Sequence, residues 1–182
     1  DIPQGYMFYD EVMSMANKGI MSGYDIGCGQ REFRPHNAVS REDMAGFLYR
    51  EAGSPAYTPP ATSPFLDVPT NDPSYKEITW LASKGVTTGW TTPNGKEFRK
   101  NEQISREAMA AFLYRSAGSP AWTAPTNSPF IDVDPSTNIF YKEITWLANT
   151  GISKGWTTSK GQEFRPKENI ARDAMAAFLS RY

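Results

Sequence analysis

The chain has one cysteine, one histidine, no excess of either charge and no long apolar run. Each scarcity excludes something. Cys28 alone cannot close a disulfide within the chain, which suits the cytoplasm and equally the extracellular bacterial proteins that avoid cysteine. His36 and Cys28, once each and without further partners, make neither a metal site nor a nucleophile–base pair. A net charge of −1 lacks the basic surplus of a general nucleic-acid binder. No apolar stretch reaches the ~18 residues that would suggest a membrane span. No secretion leader stands at the start, and the first residue is Asp1 rather than Met, so a leader is expected to have been removed or to lie outside this chain. The expectation is a domain without cofactor, metal, nucleic-acid partner or membrane span, monomeric in isolation.

What the chain does have is repetition. Ser105-Arg106-Glu107-Ala108-Met109-Ala110-Ala111-Phe112-Leu113-Tyr114-Arg115 has an earlier copy at residues 40–50 and a later one at 171–181. Each reads as a helix: a capping position, a charged first turn, an apolar stripe at 3.6-residue spacing, then Gly and Pro. An arginine stands at the first helical position of every copy, at the anion-attracting end of a helix. Burial needs the stripe and does not need the arginine, so the arginines are the first functional candidates.

A second set of matches precedes these helices. Tyr75 to Ala82 returns unchanged as Tyr141 to Ala148. Gly85, Gly89, Trp90, Phe98 and Arg99 return as Gly151, Gly155, Trp156, Phe164 and Arg165, with Gly19, Gly23, Tyr24, Phe33 and Arg34 in the first repeat. Phe65-Leu66-Asp67-Val68 matches Phe130-Ile131-Asp132-Val133, and Asp1-Ile2 takes the Asp-Val register of a first copy. The natural protein is therefore expected to extend further towards its N-terminus. A first helix is expected over about 72–84 of the second repeat, capped by Asp72 with Pro73 at its first position. Asn138 takes the capping place in the third. Residues 89–98 are expected to form a Gly-rich turn and loop, with Pro-Asn-Gly as a tight-turn signal. Residues 54–64 and 119–129 are connectors, extended and ordered against the body.

One repeat of two short helices cannot bury its stripe alone. The expected architecture is all-α: three tandem two-helix repeats forming a pseudo-threefold trimer with a central three-helix bundle and three lobes. The repeats are 1–53, 54–118 and 119–182, together one compact domain. Met44, Met109, Met175, Leu48, Leu113 and Leu179 should meet near its axis.

The ordered set Phe-x-Asp-Val, Gly-Ile/Val, Gly-Trp/Tyr, Phe-Arg-Pro and Ser-Arg-Glu-x-Met, in three copies over the whole chain, resembles the S-layer homology domain. The resemblance implies a cell-envelope anchor. It holds a bacterial surface protein non-covalently on a wall-linked, pyruvylated polysaccharide in grooves between lobes, with an arginine gripping the acidic sugar. That arginine maps to Arg41, Arg106 and Arg172. A glycine that lets sugar approach the backbone maps to Gly23, Gly89 and Gly155, and the following aromatic to Tyr24, Trp90 and Trp156. The partner implied is cell-wall polysaccharide and the location is the bacterial cell surface. Three departures stand out: a longer loop after the aromatic, Ala171 in place of a capping hydroxyl, and Lys100 in place of a proline. Because the third signature lacks its capping hydroxyl and the first has Tyr24 in place of a tryptophan, the second-repeat set Arg106, Gly89 and Trp90 is expected to be the best formed, although it can serve two pockets.

Competing readings remain at each position. The arginines could pair with Glu42, Glu107 and neighbouring helices. Trp90 and Trp156 could stack on a sugar or close a lobe's own core. Trp80 and Trp146, beside Leu81 and Leu147, read as packing. The oxygen-rich loops 67–72 and 132–138 read as capping and turn formation rather than a calcium loop. Glu77 and Glu143, carboxylates at repeat-matched positions, look structural rather than like a glycosidase pair. The alternatives to an anchor are a protein-interaction module at the cell surface and the targeting domain of a larger wall-acting enzyme, with no catalysis inside this chain.

Overall fold

A computed structural model describes all of residues 1–182. Each repeat is a helix, a β-hairpin and a second helix. The first holds α1 (Tyr9–Asn17), β1 (Tyr24–Gly27), β2 (Gln30–Glu32) and α2 (Arg41–Glu51). The second holds α3 (Tyr75–Ser83), β3 (Trp90–Thr92), β4 (Gly95–Glu97) and α4 (Arg106–Ser116). The third holds α5 (Tyr141–Asn149), β5 (Trp156–Thr158), β6 (Gly161–Glu163) and α6 (Arg172–Arg181).

The hairpins overturn the all-α expectation. Residues 89–98 are an antiparallel ladder pairing Trp90 with Glu97 and Thr92 with Gly95, and the third repeat copies it. The Thr92 and Thr158 hydroxyls donate to the carbonyls of Gly95 and Gly161 and close the turns. Three residues per strand are too few for a period-two pattern to stand out from the Gly-Pro-Asn punctuation. The central bundle needs the same correction. The tight helix pairings join the closing helix of one repeat to the opening helix of the next: α2 with α3, α4 with α5, and α6 with α1.

What holds the three repeats around a centre is backbone. Val39 N–H donates to the Ile170 carbonyl, Ile170 N–H to the Ile104 carbonyl, and Ile104 N–H to the Val39 carbonyl, at 2.9–3.0 Å. The three residues before the closing helices thus form a closed ring of hydrogen bonds. The N–H groups of Arg41, Arg106 and Arg172 donate to Glu102, Glu168 and Asn37, so each closing helix starts on the next repeat's backbone. Met44, Met109, Met175, Leu48, Leu113 and Leu179 all lie in one continuous buried core.

Capping follows the sequence on the closing helices. Ser40 forms a capping box with Asp43, Ser105 accepts from the Ala108 amide, and Ala171 provides no side-chain cap. The opening helices differ, because α3 starts at Tyr75 behind Ser74 and no side chain caps it. Asp72 instead accepts from the Ser74 amide and pairs with Lys100 at 2.6 Å. Asn138 likewise accepts from Phe140 and donates to Glu107. The oxygen-rich loops have a second task. Asp67 accepts from both the Phe98 and Arg99 amides, Asp132 from Phe164 and Arg165, and Asp1 from Phe33 and Arg34. Arg34, Arg99 and Arg165 sit at φ 56–59°, a left-handed conformation that these carboxylates hold in place.

The connectors are ordered. Tyr57 donates its hydroxyl to the Thr79 carbonyl, Trp122 its indole N–H to Thr145 Oγ1, and Tyr75 and Tyr141 their hydroxyls to the Pro60 and Pro125 carbonyls. Trp80 and Trp146 pack edge-on against Tyr49 and Tyr114, with ring centres 5.3 and 5.4 Å apart.

Candidate carbohydrate-binding grooves

Each candidate arginine leaves its own repeat. Arg41 Nε donates to the Phe98 carbonyl, Arg106 Nε to Phe164 and Arg172 Nε to Phe33, at 2.7–2.8 Å. The side chains then lie in a cage of aromatic rings. The Arg41 guanidinium is 4.1 Å from the centre of the Trp90 ring, 4.8 Å from Phe98 and 5.2 Å from Phe112. Arg106 is 4.0 Å from Trp156, 5.0 Å from Phe164 and 5.2 Å from Phe178. Arg172 is 4.8 Å from Tyr24, 4.8 Å from Phe33 and 5.7 Å from Phe47. The residues therefore group across the repeats: Arg41 with Gly89 and Trp90, Arg106 with Gly155 and Trp156, Arg172 with Gly23 and Tyr24. The second-repeat trio is divided between two grooves. Arg106 belongs to one of them, and Gly89 and Trp90 belong to the other.

All three arginines are buried, with Arg106 only 3% exposed. None has a carboxylate within ion-pair distance. Glu42 and Glu107 pair instead with Lys100 and Lys167, which removes the competing ion-pair reading. Burial pushes Arg41 down to about 10 and Arg106 to about 9, while the more distant Glu102 and Glu168 pull the other way. Both stay cationic at neutral pH.

The grooves are unequal. The one at Arg106 has a volume of about 480 Å³ and includes Lys154, Gly155, Trp156, Asn169 and Arg181 in its walls, with Glu168 and Asp173 as the acidic members. Ser153 also lines it, and its buried hydroxyl has no protein partner. The groove at Arg41 is about 200 Å³, with Thr88, Gly89, Trp90, Phe112 and Arg115 among its walls. In the first repeat a side chain lies against the closing helix. Arg50 donates to the Ile20 carbonyl at 2.8 Å, and its guanidinium lies against Gly46, where an added Cβ would meet Nη1 at 3.1 Å. Ala111 and Ala177 hold that helix position and line the other two grooves.

The glycines are required. A Cβ at Gly89 would lie 2.6 Å from the Glu97 carbonyl oxygen, and one at Gly155 2.5 Å from that of Glu163. The aromatics do not stand free. A second guanidinium, from Arg99, Arg165 or Arg34, packs over each of Trp90, Trp156 and Tyr24. Sequence reasoning missed Arg115, Arg181, Lys154 and Ser153. Arg50, Arg115 and Arg181 recur at one register near the helix ends, and that repetition was the available signal. Lys154 and Ser153 have Thr88 and Thr87 as counterparts and left no such trace. Cys28 is exposed at the tip of the first hairpin, and His36 lies 3.8 Å from Asp173, away from it. Glu77 and Glu143 sit in the first turns of α3 and α5.

The S-layer homology domain profile matches residues 1–45, 64–110 and 129–176. The chain belongs to the S-layer homology domain family. Domains of this family are modules that anchor bacterial surface proteins to the cell wall by binding its polysaccharide, and are not catalytic. A similar protein is an endoglucanase of Bacillus sp. (strain KSM-635), 33% identical over 118 residues. The match covers 65% of this chain and 11% of that relative. No helix of this S-layer homology chain is long and apolar enough to cross a membrane.

Proposed function

We propose that this chain holds a bacterial surface protein on the envelope by binding an acidic, pyruvylated wall polysaccharide in the grooves between repeats, chiefly in the groove of Arg106, Gly155 and Trp156. The observation that carries this reading is the buried guanidinium of Arg106, which has no carboxylate within ion-pair distance. Only its Nε is used by the protein. A desolvated cation without a counter-charge costs several kcal/mol, and an anionic ligand supplies that charge. A guanidinium offers a planar fork to a carboxylate, and its bidentate grip is stronger in a dry aromatic cage than in water. Lys154 and Arg181 add positive charge to the same groove.

The endoglucanase relative, most of which lies outside the match, supports a role as the anchoring part of a larger wall-acting enzyme. The test has two arms. Isolated sacculi should retain the chain until the non-peptidoglycan polymer is removed. Calorimetry with a short pyruvylated fragment should show binding that Arg106→Ala abolishes in a variant that stays folded. Equal binding to stripped sacculi, or to a fragment without its pyruvyl carboxylate, would sink the reading.

A further inference from the structure

One dipeptide in the chain is able to react with itself. Asparagine is among the chemically labile residues, and Asn94 is the only one here that is followed by glycine. Every other asparagine precedes a residue with a side chain. Asn94 lies exposed at the tip of the β3–β4 hairpin, between Thr92 and its ladder partner Gly95. The matching tip of the third repeat carries Ser159-Lys160-Gly161, and that of the first carries Gly27-Cys28-Gly29. Gly95 is fixed by the fold. Its φ is +136°, and an added Cβ would meet Leu66 Cδ1 at 3.2 Å.

The reacting atoms are neighbours. When hydroxide removes the Gly95 amide proton, the nitrogen attacks Cγ of the Asn94 carboxamide. A five-membered succinimide closes as the carboxamide nitrogen, protonated by water, leaves as ammonia. Water then adds to one imide carbonyl and breaks its bond to nitrogen. Opening at the side-chain carbonyl gives aspartate. Opening at the main-chain carbonyl gives isoaspartate, in which the backbone runs through the former side chain. Glycine has no Cβ to crowd the attacking nitrogen. Only three ladder pairs stand behind the turn, Trp90–Glu97, Thr91–Lys96 and Thr92–Gly95. A two-stranded ribbon that short opens locally, which gives the nitrogen its reach.

We propose that Asn94 and Gly95 form a self-modification site, which water slowly converts to isoaspartate and aspartate, and that the change loosens the hairpin holding Trp90 over Arg41. Isoaspartate adds one atom to the main chain inside the turn. The Thr92 hydroxyl, which accepts from the Asn94 amide and donates to the Gly95 carbonyl, then loses its spacing. The Leu66 amide, bonded to the Lys96 carbonyl at 2.8 Å, shares that strand. β3 begins at Trp90, whose ring centre is 4.1 Å from the Arg41 guanidinium, so the disturbance reaches the Arg41 groove. The third hairpin, with Lys160 at its tip, keeps Trp156 over Arg106. Only the effect on polysaccharide binding rests on the function proposed above.

The 182-residue chain is incubated at neutral and at mildly alkaline pH and sampled by peptide mass mapping. The peptide that contains Asn94 should gain about one dalton before any other asparagine peptide does, at a rate that climbs with hydroxide concentration. An isoaspartyl methyltransferase with a labelled methyl donor should then mark that peptide. Asn94→Lys, which copies the tip of the third hairpin, should abolish both the gain and the label. In the aged chain the indole N–H resonance of Trp90 should move and that of Trp156 should stay. A first gain at another asparagine, or a rate at Asn94 that ignores pH, overturns the modification. A fully modified chain with an unmoved Trp90 resonance overturns the loosening. None of these measurements uses a ligand, so their failure leaves the anchoring function untouched.

Discussion

The Arg106 guanidinium lies 4.0 Å from the centre of the Trp156 ring although the two residues belong to different repeats. A cation held over an indole in a largely dry site contributes about 2 kcal/mol. On the proposed function, Trp156 acts through the position of Arg106. Trp156→Phe should weaken binding of an acidic oligosaccharide less than Trp156→Ala. Arg106→Lys, which keeps the charge and loses the fork, should cost roughly one to two orders of magnitude. Calorimetry on short fragments checks all three. Whole-wall assays will understate the losses, because several sites on one polymer add avidity.

The three arginines should rank by the space in front of them. Arg172 donates to the Ser22 carbonyl as well as to Phe33, whereas Arg106 uses only its Nε and faces the larger groove. Arg172→Ala should lower thermal stability and change fragment affinity less than Arg106→Ala does. Measuring Tm beside Kd separates the two effects, and a larger affinity loss at Arg172 reverses the ranking.

Leu113 is fully buried in the shared core. Leu113→Ala should cost ~2–5 kcal/mol in urea unfolding. A change below about 0.5 kcal/mol would mean that Leu113 does not lie in a shared core, since even a fully collapsed site loses the transfer free energy of the removed side chain.

Asp132 gathers two amides of a left-handed turn that leads from hairpin to closing helix. Asp132→Ala should destabilise the chain by ~2–4 kcal/mol, and should also weaken fragment binding, because the Phe164 carbonyl that orients Arg106 moves with that turn.

Lys100 joins Asp72 of its own repeat and Glu42 of the first. Burial works to raise the Asp72 carboxyl, but hydrogen bonds from Lys100 and the Ser74 amide hold it below its ordinary value. The hydrogen bond to Asp72 raises Lys100. A depressed carboxyl contributes stability above its unfolded pKa and loses it as pH falls through the folded one. A raised lysine contributes below its unfolded pKa and loses it as pH climbs through the folded one. The Tm gap between wild type and Lys100→Met should thus be flat at neutral pH, close below about pH 4, and close again above about pH 10.5.

Repetition made much of this molecule legible in advance. The capped closing helices, their first-turn arginines, the ordered connectors and the packed Trp80 and Trp146 all follow from periodicity and turn chemistry. What escaped were features made by two distant segments at once. Trp90 and Thr92 pair across a two-residue turn with partners too few to leave an alternating pattern. Asp67 looks like one more polar loop residue until the Phe98 and Arg99 amides arrive 31 and 32 residues later. That Arg106 and Trp90 can serve two pockets was legible; which groove each joins depends on the direction in which the repeats close, and no residue encodes that alone.

The ring formed by Val39, Ile104 and Ile170 also governs how the chain can come apart. In an open stack of repeats each unit rests on its neighbours, and an end can fray alone. Here the last helix is tied to the first repeat, with Arg172 and Phe33 bonded across 139 residues of sequence. Such contacts close late and slow the folding search, and losing any one repeat opens the circle for the other two. Unfolding should be a single cooperative transition, and a two-repeat fragment should not survive as a smaller copy of the whole.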